Sequence, residues 1–403
     1  MLRRPFLLSI LLAAALEIAG CKNSGRGNST NLPKEDNGVP HVSRGPQLAQ
    51  VGLTSILIAW LSSQASAGAV EYGLDTSYGT RLDSASAGTE HSVRLEGLLA
   101  GTQYHYRVLL DGSPASEGHV FRTQPADPDA SFRIVVFGDT GSGSARQASV
   151  ASRVLAAVPA LVLISGDVVY DDGAPRELDP HYFVPFAGLI DRIPFYPALG
   201  NHDVRTRKGA PLLGALYLPV NDADGTERFF SFDYANAHLA ALDSNDDLVP
   251  GSVQWRWLDS DLTRSRARWK IVYFHHPPYS SSRHGSSLGL RRSLTPIFDQ
   301  HHVDLVFSGH DHNYERTFPM LGEQVVGAGE EPNYSDPPGT IFVVTGGGGR
   351  SLYRSGRSDF TAFSASAYHI VQIDIEGSSL LLRAIHVDGT LLDEVRITKT
   401  ETP

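Results

Sequence analysis

From residue 131 onward the chain alternates between short β-branched apolar runs and stretches whose apolar positions recur every three or four residues. The first pattern predicts buried strands and the second amphipathic helices. Strand-like runs stand at Phe132-Arg-Ile-Val-Val-Phe137, Leu161-Val-Leu-Ile164, Phe195-Tyr-Pro-Ala-Leu199, Trp269-Lys-Ile-Val-Tyr-Phe274 and Val303-Asp-Leu-Val-Phe307. Helical periodicity covers 144–157, 252–262 and 290–301, the last blurred at its start by glycines and by Pro296. Further strand-like runs stand at 339–345, 368–375, 379–386 and 391–397. Such alternation implies a largely parallel sheet with right-handed crossovers. The β-rich end supplies a second sheet. The expected fold class is therefore α/β, a four-layer helix–sheet–sheet–helix sandwich over 131–398.

Residues 41–125 carry a different pattern. The runs at 53–60, 69–72, 91–95 and 104–109 alternate or nearly so, and Gly-containing turns separate them, which predicts an all-β unit. Leu99-Ala-Gly-Thr-Gln-Tyr104 resembles the tyrosine corner of a fibronectin type III-like sandwich. No charged or aromatic cluster stands out, so this unit reads as a packing and spacing module. Gln124-Pro-Ala-Asp-Pro-Asp129 marks its boundary. Residues 21–40 lack periodicity and read as a flexible tether. Asn28-Ser-Thr30 fits a glycosylation acceptor only by chance if the source is bacterial. Before the tether, Arg3-Arg4 and the apolar stretch 6–16 form a signal peptide over 1–20, its apolar part too short to span a bilayer. Ile18-Ala-Gly-Cys21 resembles a bacterial lipobox, with cleavage before Cys21 and lipid on its sulfur. That predicts an exported lipoprotein, held at the cell membrane or outer membrane by its anchor alone.

Composition narrows the picture. The chain's 403 residues exceed what one core usually holds. Cys21 is the only cysteine, so no internal disulfide can form, and stability must come from packing and bound metal. Removing residues 1–20 takes two Arg and one Glu from 34 basic and 44 acidic residues, leaving 32 against 43. A net charge of that sign argues against a nucleic-acid-binding surface.

Five strand-like runs of the second unit end on polar chemistry. The endings are Gly138-Asp139-Thr-Gly141, Gly166-Asp167-Val-Val-Tyr170-Asp171-Asp172, Gly200-Asn201-His202-Asp203, His275-His276-Pro277 and Gly309-His310-Asp311-His312. Ligands of open α/β sheets gather beyond the carboxyl ends of the strands. Five strand ends thus offer Asp, Asp, Asn, His and His to one crevice. Oxygen and imidazole donors without thiolate suit Zn, Mn or Fe. Singly, each has a blander reading. Asp139 and Asp203 could be turn carboxylates, Asn201 a left-handed turn residue, Tyr170 an amphipathic rim residue and His275 a satisfied buried imidazole. The recurrence outweighs them. Asp171 and Asp172 read as solvated or as lying behind the ligands, and His301 and His302 as surface or helix-capping residues. The four glycines at 346–349 read as close packing or a turn beside the site, since no Lys-Ser/Thr comes after them to make a phosphate loop.

In these five blocks, in Asn313-Tyr-Glu-Arg316 and in the N-terminal β unit, the chain resembles the purple acid phosphatases among the calcineurin-like metallophosphoesterases. The resemblance covers nearly everything after residue 41, and Tyr170, three residues after Asp167, narrows it. It implies a binuclear centre. Asp139, Asp167, Tyr170 and His312 would hold Fe(III). Asp167, Asn201, His275 and His310 would hold a divalent Fe, Zn or Mn, with Asp167 bridging. It also implies that His202 contacts the phosphoryl oxygens and that His284 contacts substrate or protonates the leaving group. Relatives often have paired histidines in that loop, where this chain has Arg283 and His284. The expected activity is hydrolysis of phosphate monoesters on small molecules by a metal-activated hydroxide. Two alternatives stand beside it: a phosphodiesterase or nucleotide hydrolase of the same superfamily, and a lipid-anchored surface binding protein with a vestigial site.

Overall fold

A computed structural model describes residues 38–221 and 225–400. The lipobox with Cys21, and nearly all of the tether, lie outside them.

The N-terminal unit is a two-sheet β-sandwich. One sheet orders its strands Val42–Ala49, Ile56–Ser66 and Gly88–Leu95, and the other is built around Gly68–Gly73 and Gln103–Leu110. Alternation puts Ile56, Ile58 and Trp60 inside. The tyrosine corner is present: the Leu99 amide donates to Tyr104 Oη at 2.9 Å. Polar bonds join the sandwich to the second unit. Arg44 forms a two-pronged ion pair with Asp179 at 2.6 and 2.7 Å. Gln47 Nε2 donates to the Ala215 carbonyl, and Tyr106 Oη to that of Asp191. One hydrophobic core runs from Trp60 and Tyr106 through to Ile134 and Leu163.

The second unit has two seven-stranded sheets. In the first, Phe132–Phe137, Leu161–Ile164 and Phe195–Pro197 run parallel. In the second, Ala237–Ala241, Trp269–Tyr273, Leu305–Ser308 and Ile341–Thr345 run parallel. Side-chain alternation sorts the layers. Ile271, Tyr273, Leu305, Phe307, Ile341 and Val343 enter the main core. Their neighbours Val272, Phe274, Val306 and Phe342 face Leu258, Leu262, Leu294 and Phe298 of the helices Val253–Arg264 and Leu288–His301. The helix Ala145–Ala157 starts at Ser144, whose hydroxyl accepts from the Gln147 amide.

The four-layer expectation holds, but the sheets are only partly parallel: the second through its centre, the first toward its two edges. His369–Glu376, Ser379–His386 and Leu391–Thr398 form an antiparallel meander, and His369–Glu376 pairs antiparallel with Phe132–Phe137. The meander's strands succeed one another without helices, which leaves no crossover to make them parallel. His301 also departs from expectation. It is buried, not a surface residue, with Nε2 2.8 Å from Asp259 Oδ1 of the neighbouring helix. His302 ends its helix in the left-handed conformation.

Candidate metal centre

The parallel strands of both sheets end side by side, and the chain turns sharply at each end. Asp139, Asp167 and His310 take φ of 58°, 50° and 68°. Left-handed backbone is costly for non-glycine residues, about 1–3 kcal/mol each, and persists where surrounding structure over-determines it. Here it turns three side chains into one crevice. The approach is close enough to require Gly200, where a Cβ would stand 2.1 Å from the Asp167 amide nitrogen. The glycines at 346–349 have a similar reason: a Cβ at Gly346 would lie 2.7 Å from Asp139 Oδ2, and one at Gly348 2.2 Å from the Gly138 carbonyl oxygen.

Two donor groups result. In the first, Tyr170 Oη donates to Asp139 Oδ1 at 3.0 Å, and His312 Nε2 lies 3.3 Å from Tyr170 Oη and 3.4 Å from Asp139 Oδ1. In the second, Asn201 Oδ1 is 3.0 Å from both His275 Nε2 and His310 Nδ1, which are 3.2 Å apart. Asp167 stands between the groups. Its Oδ1 accepts from the His202 amide, and its Oδ2 is 3.5 Å from His275 Nε2. Donor atoms of Asp139, Asp167 and His275 all lie within 4.8 Å of one another.

A second layer fixes these groups. His275 Nδ1 is 3.0 Å from the Ser165 carbonyl and His312 Nδ1 2.8 Å from that of Ser351. Each thereby commits its Nδ1–H and turns a bare Nε2 lone pair inward. Asp203 is a turn carboxylate: it accepts from the amides of Gly200, Val168 and Val169. Burial, then the charge of Asp167, pushes its carboxyl up to about 7.

This donor set suits metal cations. Asn201 Oδ1 and His275 Nε2 are both acceptors once His275 Nδ1 holds the proton, and at 3.0 Å they repel unless a positive charge lies between them. Burial, then the repulsion a second charge would meet beside His275 and His276, pushes His310 down to about 2, leaving a neutral imidazole. Burial opposes charging of His275 and His312, but Asp167 and Asp139 outweigh it and raise both. Burial, then the charges of Asp139 and Asp167, holds the Tyr170 phenol well above its ordinary range. Tyr170 can become a phenolate there only beside a strongly acidifying cation.

The remaining predicted residues line the same crevice. His202 has Nδ1 2.6 Å from the Asp171 carbonyl and Nε2 4.0 Å from Asp167 Oδ2. His284 is exposed, its ring centroid 4.2 Å from that of His310. Asp171 and Asp172 are exposed, and Asp171 pairs with Arg350 at 2.7 Å. Sequence reasoning passed over several neighbours. His276 has its ring centroid 4.7 Å from that of His310, and its donor atom clusters with those of His275 and His310. Arg350 lies over the Tyr170 ring, and Tyr353 stacks on His312 with centroids 4.1 Å apart. Only His276, beside His275, had a visible signal.

Comparison with known proteins agrees with this geometry. Residues 132–314 match the calcineurin-like phosphoesterase family, and residues 44–123 the purple acid phosphatase N-terminal domain. The chain is 27% identical over 310 residues to a phosphoenolpyruvate phosphatase of Allium cepa, covering 70% of this chain and 63% of that protein. It is 25% identical over 302 residues to purple acid phosphatase 15 of Arabidopsis thaliana, covering 66% and 54%. The match thus spans less than two thirds of each relative's length. Purple acid phosphatase PPD1 from yellow lupin shares the fold, with a TM-score of 0.78 at 22% identity over 88% of this chain and 74% of that one. Strand-end blocks, N-terminal sandwich and relatives agree: the chain carries a calcineurin-like phosphoesterase domain behind a purple acid phosphatase N-terminal domain, and purple acid phosphatases are among its relatives.

Proposed function

We propose that this chain hydrolyses phosphate monoesters of small molecules at a two-cation centre. The observation that carries the reading is the pair of donor groups meeting at Asp167. Asp139, Tyr170 and His312, with Asp167, would hold Fe(III). Asn201, His275 and His310, again with Asp167, would hold a divalent Fe, Zn or Mn. Such a pair supplies a hydroxide nucleophile near neutral pH and neutralises the phosphoryl oxygens. The chain's own groups do the rest. His202 is held at Nδ1 by the Asp171 carbonyl and has Arg205 Nη2 3.4 Å from Nε2; in its doubly protonated form it would donate Nε2–H to a phosphoryl oxygen. As the P–O ester bond breaks, His284 passes a proton to the leaving oxygen, so the product departs as an alcohol.

Metal analysis with a visible spectrum, then turnover on a monoester and a diester, tests this. Expected are two metals per chain, a purple oxidised protein and preference for the monoester on the acidic side of neutral. A colourless iron-loaded protein that prefers diesters would replace this reading with the phosphodiesterase alternative. We also propose residues 41–125 as a spacer and export with a lipid on Cys21. Mass spectrometry of the mature N-terminus checks the anchor, and an unmodified Cys21 removes it.

A further inference from the structure

His284 reaches the centre from an exposed, serine-rich loop, yet a general acid must be held to within a fraction of an ångström. The restraint comes from residues with no part in the assigned ligand set. Asp311 sits between His310 and His312 and is fully buried. Its Oδ1 accepts from the His284 backbone amide at 2.9 Å, and its Oδ2 accepts from Ser280 Oγ at 2.5 Å. Glu315, also buried, accepts from the Ser281 amide at 2.7 Å through Oε2 and from Thr361 Oγ1 at 2.6 Å through Oε1. A third tie runs through Arg283, whose guanidinium lies 4.9 Å from the centroid of Tyr353, the ring stacked on His312.

We propose that Asp311 and Glu315 are positioning residues that strap the 280–284 loop to the metal-ligand segment and so set His284 over the crevice. Burying two carboxylates is expensive unless hydrogen bonds repay it. Here three of the four bonds come from loop groups, and the fourth comes from Thr361, whose Oγ1 is itself 3.1 Å from Ser281 Oγ. One short stretch, 310–315, would then place both the ligands and the proton donor. This rests on the role proposed for His284.

The test uses the full metal-loaded chain with Asp311→Ala, Asp311→Asn and the milder Ser280→Ala. Hydrogen exchange over 280–286 is expected to quicken in Asp311→Ala and to be partly restored in Asp311→Asn, which keeps an oxygen for the His284 amide. Turnover of an alkyl phosphate should fall roughly 10- to 100-fold with little change in KM. Turnover of 4-nitrophenyl phosphate, whose leaving group needs no proton, should hardly change. Adding His284→Ala should cost nothing more. Ser280→Ala should move both readouts the same way by less, which keeps the test decisive if Asp311→Ala folds poorly. Unchanged exchange over 280–286, or equal loss on both esters, would overturn the proposal. A wild type that cleaves neither ester would instead remove the proposed function, and exchange alone would then decide the strap.

Discussion

Tyr170 is the residue on which the proposed Fe(III) position turns. Its ring is held from two sides, with Arg350 Cζ 4.5 Å and the His202 centroid 4.4 Å from its own centroid. Tyr170→Phe keeps those contacts and deletes the oxygen donor alone. The variant is expected to fold with a near-normal melting temperature, to lose its visible band and to bind less iron. A variant that stays purple would place the colour on another donor. Asp167 and His301 make a second comparison. Asp167→Asn should reduce turnover to background and weaken both metal positions, because both donor groups meet at that carboxylate. His301→Ala should keep metal and turnover and lose about 1 kcal/mol of stability with its Asp259 contact. Metal analysis beside a melting curve separates the two, and metal loss in His301→Ala would refute the ligand assignment. The proposed ligands were legible because they stand at or just beyond the ends of apolar runs, where a polar residue stands out. Arg350 and Tyr353 were not. They lie in an aperiodic segment that reaches the centre only through the close packing of the glycines at 346–349.

At the scale of elements, the helices that start at Ser144 and Ser252 were readable because periodicity and cap agree at each. The short turns Pro175–Leu178 and Ala210–Leu216 were not, since each is too brief to establish a period. The contact between the hairpin Phe230–Tyr234/Ala237–Ala241 and the helix Val253–Arg264 was also invisible. It depends on His238, whose Nδ1 is 2.7 Å from Asp233 and whose Nε2 is 2.8 Å from Asp261. Burial opposes its charging, but hydrogen bonds to the two carboxylates outweigh that and raise it to about 9. The folded value thus exceeds the unfolded one of about 6.5. The contribution to stability is complete below about pH 6.5 and disappears as pH rises through about 9. His238→Gln should therefore cost about 1–3 kcal/mol at pH 6 and much less at pH 10. Chemical denaturation at the two pH values measures this. An equal loss at both would mean that His238 acts by packing alone.

For the whole molecule, the centre is also a stability problem. Asp139, Asp167 and Asp203 are buried together around one crevice, and like charges this close oppose folding until something neutralises them. Hydrogen bonds from backbone amides and from Tyr170 do part of this in the metal-free chain. Cations would do it better, and any ligand that binds only the folded state stabilises it by mass action. At a free concentration about 100 times the dissociation constant, that amounts to about 2.7 kcal/mol. Metal addition should raise the melting temperature by several degrees, and a chelator should reverse the shift. Asp167→Asn should abolish most of it. The N-terminal sandwich supplies the control. Tyr104→Phe removes the acceptor of the Leu99 amide, far along the chain from any donor to the centre, and should lower the baseline by about 1–2 kcal/mol. Because one core runs through both units, the two effects should appear in a single transition, yet the metal-induced shift should be the same size in Tyr104→Phe as in the wild type. A melting temperature indifferent to metal and chelator would mean that hydrogen bonds alone hold these donors together, and the metal centre would have to be abandoned.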